Sequence, residues 1–282
     1  MNISLLTVPY DAGHFNERMG AGPKYILKSG LLKRLKAAGH DVHYEEIKSD
    51  VKYATENATS FDLLNKISGS VTTALNNKRF PVALSGNCNT TVGVIAAVRE
   101  KNTGILWFDA HGDCETPDTT ISGFLDGMAI STLMGYCWQN ILMRINGYQP
   151  LPGKNITLIG ARDLSGAEKE LIKISGIQHL KAAKIKQNRS EAISELIERL
   201  KNKHISLLHI HIDLDVLDPS IAAANTYAVP GGLFKEDIIE IIFRAKQNFI
   251  LSSATISAYD PSCDKNDKIL NAAIEFIEQI IK

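Results

Sequence analysis

Two short stretches of this chain hold residues whose types and spacing could do chemistry. They are Asp109-Ala110-His111-Gly112-Asp113 and Asp213-Leu214-Asp215. In each, polar ligand types alternate with spacers, so on an extended backbone the carboxylates and the imidazole point to one side. Each stretch also follows an apolar run, residues 103–108 and 205–212. That puts the acids at the C-terminal ends of buried strands, where open α/β sheets build their sites. Four aspartates cannot sit there as bare charges, because two carboxylates 4 Å apart repel by about 4 kcal/mol at a protein-like dielectric. Two divalent cations sharing a bridging carboxylate are the economical remedy. A single D-x-H-x-D pattern is equally well a solvated loop; two acidic clusters, each closing an apolar strand, are harder to read that way. Asp218, before Pro219, reads as an ordinary turn residue rather than a ligand.

The elements that must position these groups alternate along the chain. Apolar runs predict strands at 3–7, 81–84, 104–108, 156–159, 206–212 and 250–256. Amphipathic spacing predicts helices over 23–38, 61–76, 91–101, 167–174, 189–201, 235–247 and 267–281. Such alternation implies βαβ units and a mostly parallel sheet covered on both faces, a three-layer α/β/α architecture. No internal repeat, low-complexity tract or linker interrupts it, so residues 1–282 are expected to form one domain.

Bulk properties narrow the function classes. The 282 residues are 44% hydrophobic and 22% charged, with a formal net charge of zero. Without a net basic field, nucleic acid is not expected as the principal partner. The first residues form a short apolar strand without signal-peptide regions, and no segment reaches the roughly 18 apolar residues needed to span a bilayer. A cytoplasmic location is expected, with no membrane partner. The cysteines, Cys88, Cys114, Cys137 and Cys263, form no C-x-x-C pair, which removes the zinc-finger and redox-dithiol readings. Cys137 and Cys263 read as plain buried or half-buried thiols.

With the acidic strand ends in place, the chain resembles the arginase–agmatinase family of binuclear manganese ureohydrolases. The resemblance rests on Gly20-Ala21-Gly22-Pro23, Leu84-Ser85-Gly86-Asn87-Cys88, Trp107 to Asp113, Ser122-Gly123, Ile159 to Asp163, His211 to Pro219, and Val229 to Leu233. These span nearly the whole chain; the acidic motifs are highly specific and the glycine motifs weak alone. The resemblance implies that Asp109 and Asp213 bridge two metals, that Asp113 completes the first shell, and that His111 and Asp215 hold the second. A water between the metals would attack the planar guanidinium carbon, and the collapsing intermediate would release an amine and urea.

Several residues depart from the family pattern. Cys88 stands where relatives carry a histidine ligand, so three readings are open: it ligates as a thiolate, it stands off as a buried apolar thiol, or the first site is empty. Ligation would move preference from manganese toward zinc, iron or cobalt. Asp126 stands in place of a proton-shuttling histidine; it can accept a proton but is a poor acid at pH 7 unless its pKa is raised. Around the amino-acid head group, Thr120 and Ser122 are retained, Glu115 replaces an asparagine, and Ser165 replaces an acid with Glu168 nearby. The glutamate expected near the guanidinium falls at Ala258, and Asp260 is not in register to replace it. His14 reads as a surface residue, and His209 and His211 as core or supporting groups deep in a strand.

The expected function is hydrolysis of a guanidino C–N bond of an arginine-like substrate. Asp126 and His111 are the candidate catalytic groups, Glu115, Thr120, Ser122 and Glu168 the candidate substrate contacts. Cys88, Asp109, His111, Asp113, Asp213 and Asp215 are the candidate ligands of two divalent cations, Mn2+ foremost. The rivals are an N-hydroxyarginine hydrolase, suited to a less basic head group, an agmatinase- or formimidoylglutamase-like hydrolase, and a catalytically degenerate metal-binding relative. The resemblance also implies a homo-oligomer, trimeric or hexameric.

Overall fold

Six residues of strand β6, Thr103–Phe108, are all buried, and their side chains divide between the two faces of a sheet. Leu106 and Phe108 enter one apolar cluster, Ile105 and Trp107 the other, as a period of two requires. The same holds for β1, Asn2–Val8, where Ile3 and Leu5 face one side and Leu6 and Val8 the opposite one. Strands buried on both faces need helices on both faces. The computed structural model, which describes residues 1–98 and 102–282, supplies them.

In chain order the remaining strands are β2 (Tyr10–Asp11), β3 (His14–Phe15), β4 (Asp41–Glu46), β5 (Phe80–Ser85), β7 (Ile156–Ile159), β8 (Gln178–Leu180), β9 (Leu207–Asp213) and β10 (Ile250–Ser257). The helices are α1 (Gly22–Lys28), α2 (Leu31–Ala37), α3 (Glu56–Asn76), α4 (Thr90–Ala97), α5 (Ala129–Leu133), α6 (Gln139–Leu142), α7 (Gly166–Ser175), α8 (Ala182–Gln187), α9 (Arg189–Asn202), α10 (Lys235–Asn248) and α11 (Lys268–Ile281). Eight strands form one sheet in the order β4-β1-β5-β10-β9-β6-β7-β8, and every pairing in it is parallel. One face is covered by α1, α2, α9, α10 and α11, the other by α3, α4, α5 and α7. The three-layer α/β/α class expected from the alternation is the one observed.

Strand order positions the site. β5, β10, β9, β6 and β7 are neighbours, so all five release their C-terminal loops along one edge of the sheet. The chain fills β1 and β5 early and returns to β10 last, which makes this edge the switch point where α/β sheets open a crevice. Two other loops are pinned there by close backbone contact. A Cβ on Gly86 would lie 2.1 Å from the Tyr10 carbonyl oxygen and 2.8 Å from the Gly20 Cα. That contact explains two of the glycine motifs at once.

The differences from the expected elements have physical causes. The helix anticipated over 23–38 is two helices, broken at Gly30, which takes φ 93°. Helix α4 ends at Ala97, and residues 99–101 of the helix expected over 91–101 lie outside the described residues. Strands β4 and β8 were not anticipated, because both are edge strands with polar, part-exposed faces. Among the described residues no helix is long and apolar enough to cross a membrane.

Candidate metal centre

Asp109 follows β6 directly and is buried. Its Oδ1 accepts the His111 backbone N–H at 2.7 Å, and its Oδ2 accepts the Trp107 Nε1–H at 3.0 Å. Asp213 closes β9, and its Oδ1 accepts the Asp215 N–H at 2.8 Å. Asp215 Oδ1 accepts the Ala110 N–H at 3.2 Å, which ties the two acidic motifs together across the sheet edge. The His111 Nδ1 lies 3.4 Å from both Asp109 Oδ1 and Asp215 Oδ2. Asp113 takes φ 48°, and its buried Oδ2 has no hydrogen-bond partner. Cys88, in the loop after β5, places its Sγ 3.0 Å from Asp213 Oδ2 and 3.1 Å from Ser257 Oγ.

Electrostatics make these groups a demand for positive charge. Burial and the neighbouring carboxylates hold Asp113 and Asp213 well above the usual carboxylate range, and burial also raises Asp109. Burial opposes an imidazolium at His111, yet its contacts with Asp109 and Asp215 prevail and push its pKa up to about 12. Burial, reinforced by Asp213, keeps the Cys88 thiol protonated. A buried carboxylate oxygen without a donor costs free energy until something cationic approaches it. Oxygen, nitrogen and sulfur donors of this kind are those divalent transition ions accept. Two clusters have ligand atoms within 4.8 Å of one another: Asp109 with His111 and Asp215, and Cys88 with Asp109 and His211. Asp109 is common to both. The donor set therefore fits a pair of divalent cations.

Above this floor lies a cavity of about 370 Å³ reached by Asp113, Asp126, Asp163, Glu168, Asp213 and Asp215, with Phe124 and Tyr227 at its apolar wall. A cavity this rich in carboxylates beside candidate metal ligands suits a small cationic ligand. Such an arrangement is that of a metallohydrolase, and comparison with known proteins identifies which. The arginase-family sequence profile matches residues 1–282. The chain belongs to the arginase family. By that membership it is a hydrolase of C–N bonds in linear amidines. It is 30% identical to the arginase of Brevibacillus brevis over 296 residues, covering 99% of this chain and 97% of that one. It is 29% identical to the arginase of Staphylococcus aureus strain COL, covering 98% and 95%. The crystal structure of arginase from Bacillus cereus superposes with a TM-score of 0.90 at 27% identity, covering 99% of this chain and 98% of that chain.

Against that family frame the individual residues fall into place unevenly. Asp126 is buried and lines the cavity, with Oδ2 accepting from Asn87 Nδ2 at 2.9 Å and Oδ1 from the Asn89 N–H at 3.1 Å. Burial pushes its pKa up to about 7 despite both hydrogen bonds. Burial thus moves it toward the range in which a carboxyl can give up a proton near neutral pH. Ser122 lines the cavity, but Glu115 and Thr120 do not. Glu115 bonds to Thr119 Oγ1, and Thr120 Oγ1 accepts the Gly123 N–H. Glu168 reaches the cavity with both oxygens already accepting backbone N–H groups, Cys114 at 3.2 Å and Ser165 at 2.9 Å. It caps α7 with Ser165 and lies against Gly112, where a Cβ would sit 2.4 Å from its Oε1. Asp260 turns away to Ser262, and Ala258 forms that part of the wall. His14 is on the exposed hairpin strand β3, away from the cavity.

Three supporting residues were not picked out from sequence. Asn225 Nδ2 donates to Asp215 Oδ2 at 3.2 Å and to the Ala258 carbonyl at 2.9 Å, joining the β9 and β10 loops. Arg162 directs its guanidinium at the carbonyls of Asp215, Gly160 and Val229 at 3.0, 3.2 and 2.6 Å. Thr91 bonds His211 Nδ1 at 2.8 Å. Arg162 lay within a quoted motif, so it alone had a sequence signal; the others depend on loops meeting in space.

Proposed function

We propose that this chain, as one domain over residues 1–282, hydrolyses a guanidino C–N bond of an arginine-like molecule to give urea or a substituted urea. The observation that carries the reading is Asp109, common to two ligand clusters, one of which reaches a carboxylate-lined cavity through His111 and Asp215. On this reading two divalent cations, manganese foremost, are held by Asp109 and Asp213 between them, with Cys88 and Asp113 on one side and His111 and Asp215 on the other. When bound, the cations lower the pKa of a shared water and supply the nucleophile. The chain's own residues do the rest. Asp163 and Asp126 draw a planar cation into the cavity, and Asp126 accepts a proton and returns it to the leaving amine. Ser122 and Glu168 would meet the head group, while Thr120 and Glu115, outside the cavity, would act only through the shape of the loop that carries Ser122. A cytoplasmic homo-oligomer is part of the same proposal.

One observation supports a second reading within the class. Ala258 stands on the cavity wall where a carboxylate would otherwise reinforce a strongly basic head group, and Asp260 does not replace it. N-hydroxyarginine, less basic because of its electron-withdrawing oxygen, needs that carboxylate less. The test is urea or hydroxyurea release by protein reconstituted with Mn2+ or Co2+, offered L-arginine, N-hydroxyarginine, agmatine and N-formimidoylglutamate. Metal-dependent turnover of arginine that disappears in Asp109→Asn supports the first reading, and preference for N-hydroxyarginine the second. Two equivalents of bound metal with no turnover of any guanidine would overturn both.

A further inference from the structure

The imidazole that relatives carry at position 88 is missing here, but another imidazole lies close to Cys88. His211 is on β9, two residues before Asp213, so strand alternation sends both side chains to the same face. Ligand atoms of Cys88, Asp109 and His211 lie within 4.8 Å of one another, and all three residues are buried. Around a tetrahedral ion with ordinary Zn–S and Zn–N bond lengths, neighbouring donors stand about 3.3–3.8 Å apart, so the three atoms need only a modest contraction.

The ring is held as a ligand's ring is held. It stacks on Trp107 at a centroid distance of 3.7 Å and an interplanar angle of 20°. Its Nδ1 is 2.8 Å from Thr91 Oγ1, and its Nε2 is 3.5 Å from Ser257 Oγ, which in turn lies 3.1 Å from Cys88 Sγ. In the tautomer that donates Nδ1–H to Thr91, the lone pair is on Nε2, the nitrogen beside the Ser257 hydroxyl that also contacts Cys88. Metal-bound histidines regularly donate their second ring N–H in this way, which fixes tautomer and orientation. His209, lower on the same strand face, makes the contrast: its Nδ1 meets Ser253 Oγ at 2.8 Å, but it belongs to neither ligand cluster.

We infer that His211 is a metal ligand, and that with Cys88 and Asp109 it forms an inner seat for a borderline-soft cation of the zinc, cobalt or iron(II) class. The imidazole lost from the loop after β5 is replaced from within β9, alongside a new thiolate. Asp109 joins this inner seat to the outer one of His111 and Asp215. The inference rests on the metal-binding part of the proposed function and not on its substrate.

The experiment is X-ray absorption on the wild-type zinc- or cobalt-loaded protein, with cobalt optical titrations of the wild type, Cys88→Ser, His211→Gln and His209→Gln. The expected wild-type result is one sulfur at about 2.3 Å and two imidazoles per pair of ions, with a thiolate-to-cobalt charge-transfer band. Cys88→Ser abolishes the band; His211→Gln weakens the tighter cobalt equivalent at least tenfold and shifts the band; His209→Gln does neither. A single imidazole per pair of ions, no sulfur, or no metal uptake by the wild type would overturn the inference. The absorption result needs no variant, so a misfolded His211→Gln does not remove the test. Sulfur and two imidazoles in a protein that hydrolyses no guanidine would uphold the inner seat and defeat the proposed activity instead.

Discussion

Replacing Arg162 should loosen the outer metal ligands without touching them. This half-buried guanidinium closes the loop after β9: Nη2 donates to the carbonyls of Asp215 at 3.0 Å and Val229 at 2.6 Å, Nε to Val229 at 3.0 Å, and Nη1 to Gly160 at 3.2 Å. Charge-assisted hydrogen bonds contribute about 1.5–3 kcal/mol each, and buried carbonyls left without donors add to the loss. The bonds share acceptors and the side chain is part-exposed, so their sum is discounted; Arg162→Ala is expected to cost about 3–5 kcal/mol. Arg162→Lys keeps the charge but lacks the fork geometry, and should recover about half of that. The assay is urea denaturation of metal-free and metal-loaded protein. Because Asp215, proposed above as a ligand of the outer seat, is on this same loop, the stabilisation by added cation should shrink in both variants. Arg162→Lys matching the wild type within about 0.5 kcal/mol, with unchanged stabilisation by metal, would show that the guanidinium does not brace the ligand loop.

Three further outcomes follow from the titrating groups. His111, at about 12, and the raised Cys88 thiol keep their protons at pH 7, and burial among like charges raises Asp113 and Asp213 as well, so a cation must displace protons. Metal affinity should therefore rise with pH, and calorimetry in buffers of different ionisation enthalpy should register proton release; zero net release at pH 7 would contradict this. Asp126→Asn should lower kcat by about 10²-fold or more with metal content unchanged. Wild-type kcat/KM should fall as pH drops through a value at or below 7, because bound cations lower the Asp126 pKa from the about 7 set by burial; a variant retaining the wild-type rate and profile would remove Asp126 from proton transfer.

What could be read from the sequence and what could not separates along physical lines. The central strands were legible because burial on both faces writes an uninterrupted apolar run, as in β6 and β9, and the ligands at their ends stood out as alternating acids. Edge strand β4, Asp-Val-His-Tyr-Glu-Glu, has one neighbour and a solvated face, so nothing in its composition announces pairing. Gly30 lay inside a helical pattern that α1 and α2 each satisfy, and only the left-handed backbone shows the break. Within the site, Glu168 reads from sequence as a substrate contact; it lines the cavity while each of its oxygens also accepts a backbone N–H, a second duty that no local pattern announces. His211 reads from sequence as a core or supporting group because strand depth alone says so. Its nearness to Cys88 depends on β10 lying between β5 and β9, a fact of strand order rather than of local sequence.

The indole of Trp107 has a further consequence. Its Nε1–H is bonded to Asp109 Oδ2 and its ring lies flat against His211, so it borders both clusters at once. The chain's other tryptophan, Trp138, packs edge-on against Phe61 at 5.8 Å, outside either cluster. A charge arriving on Asp109 alters the field along the Trp107 excited-state dipole, and a paramagnetic ion quenches its emission, while Trp138 contributes a steady background. On the proposed reading, intrinsic fluorescence would therefore report occupancy of the two seats in real time and without a label.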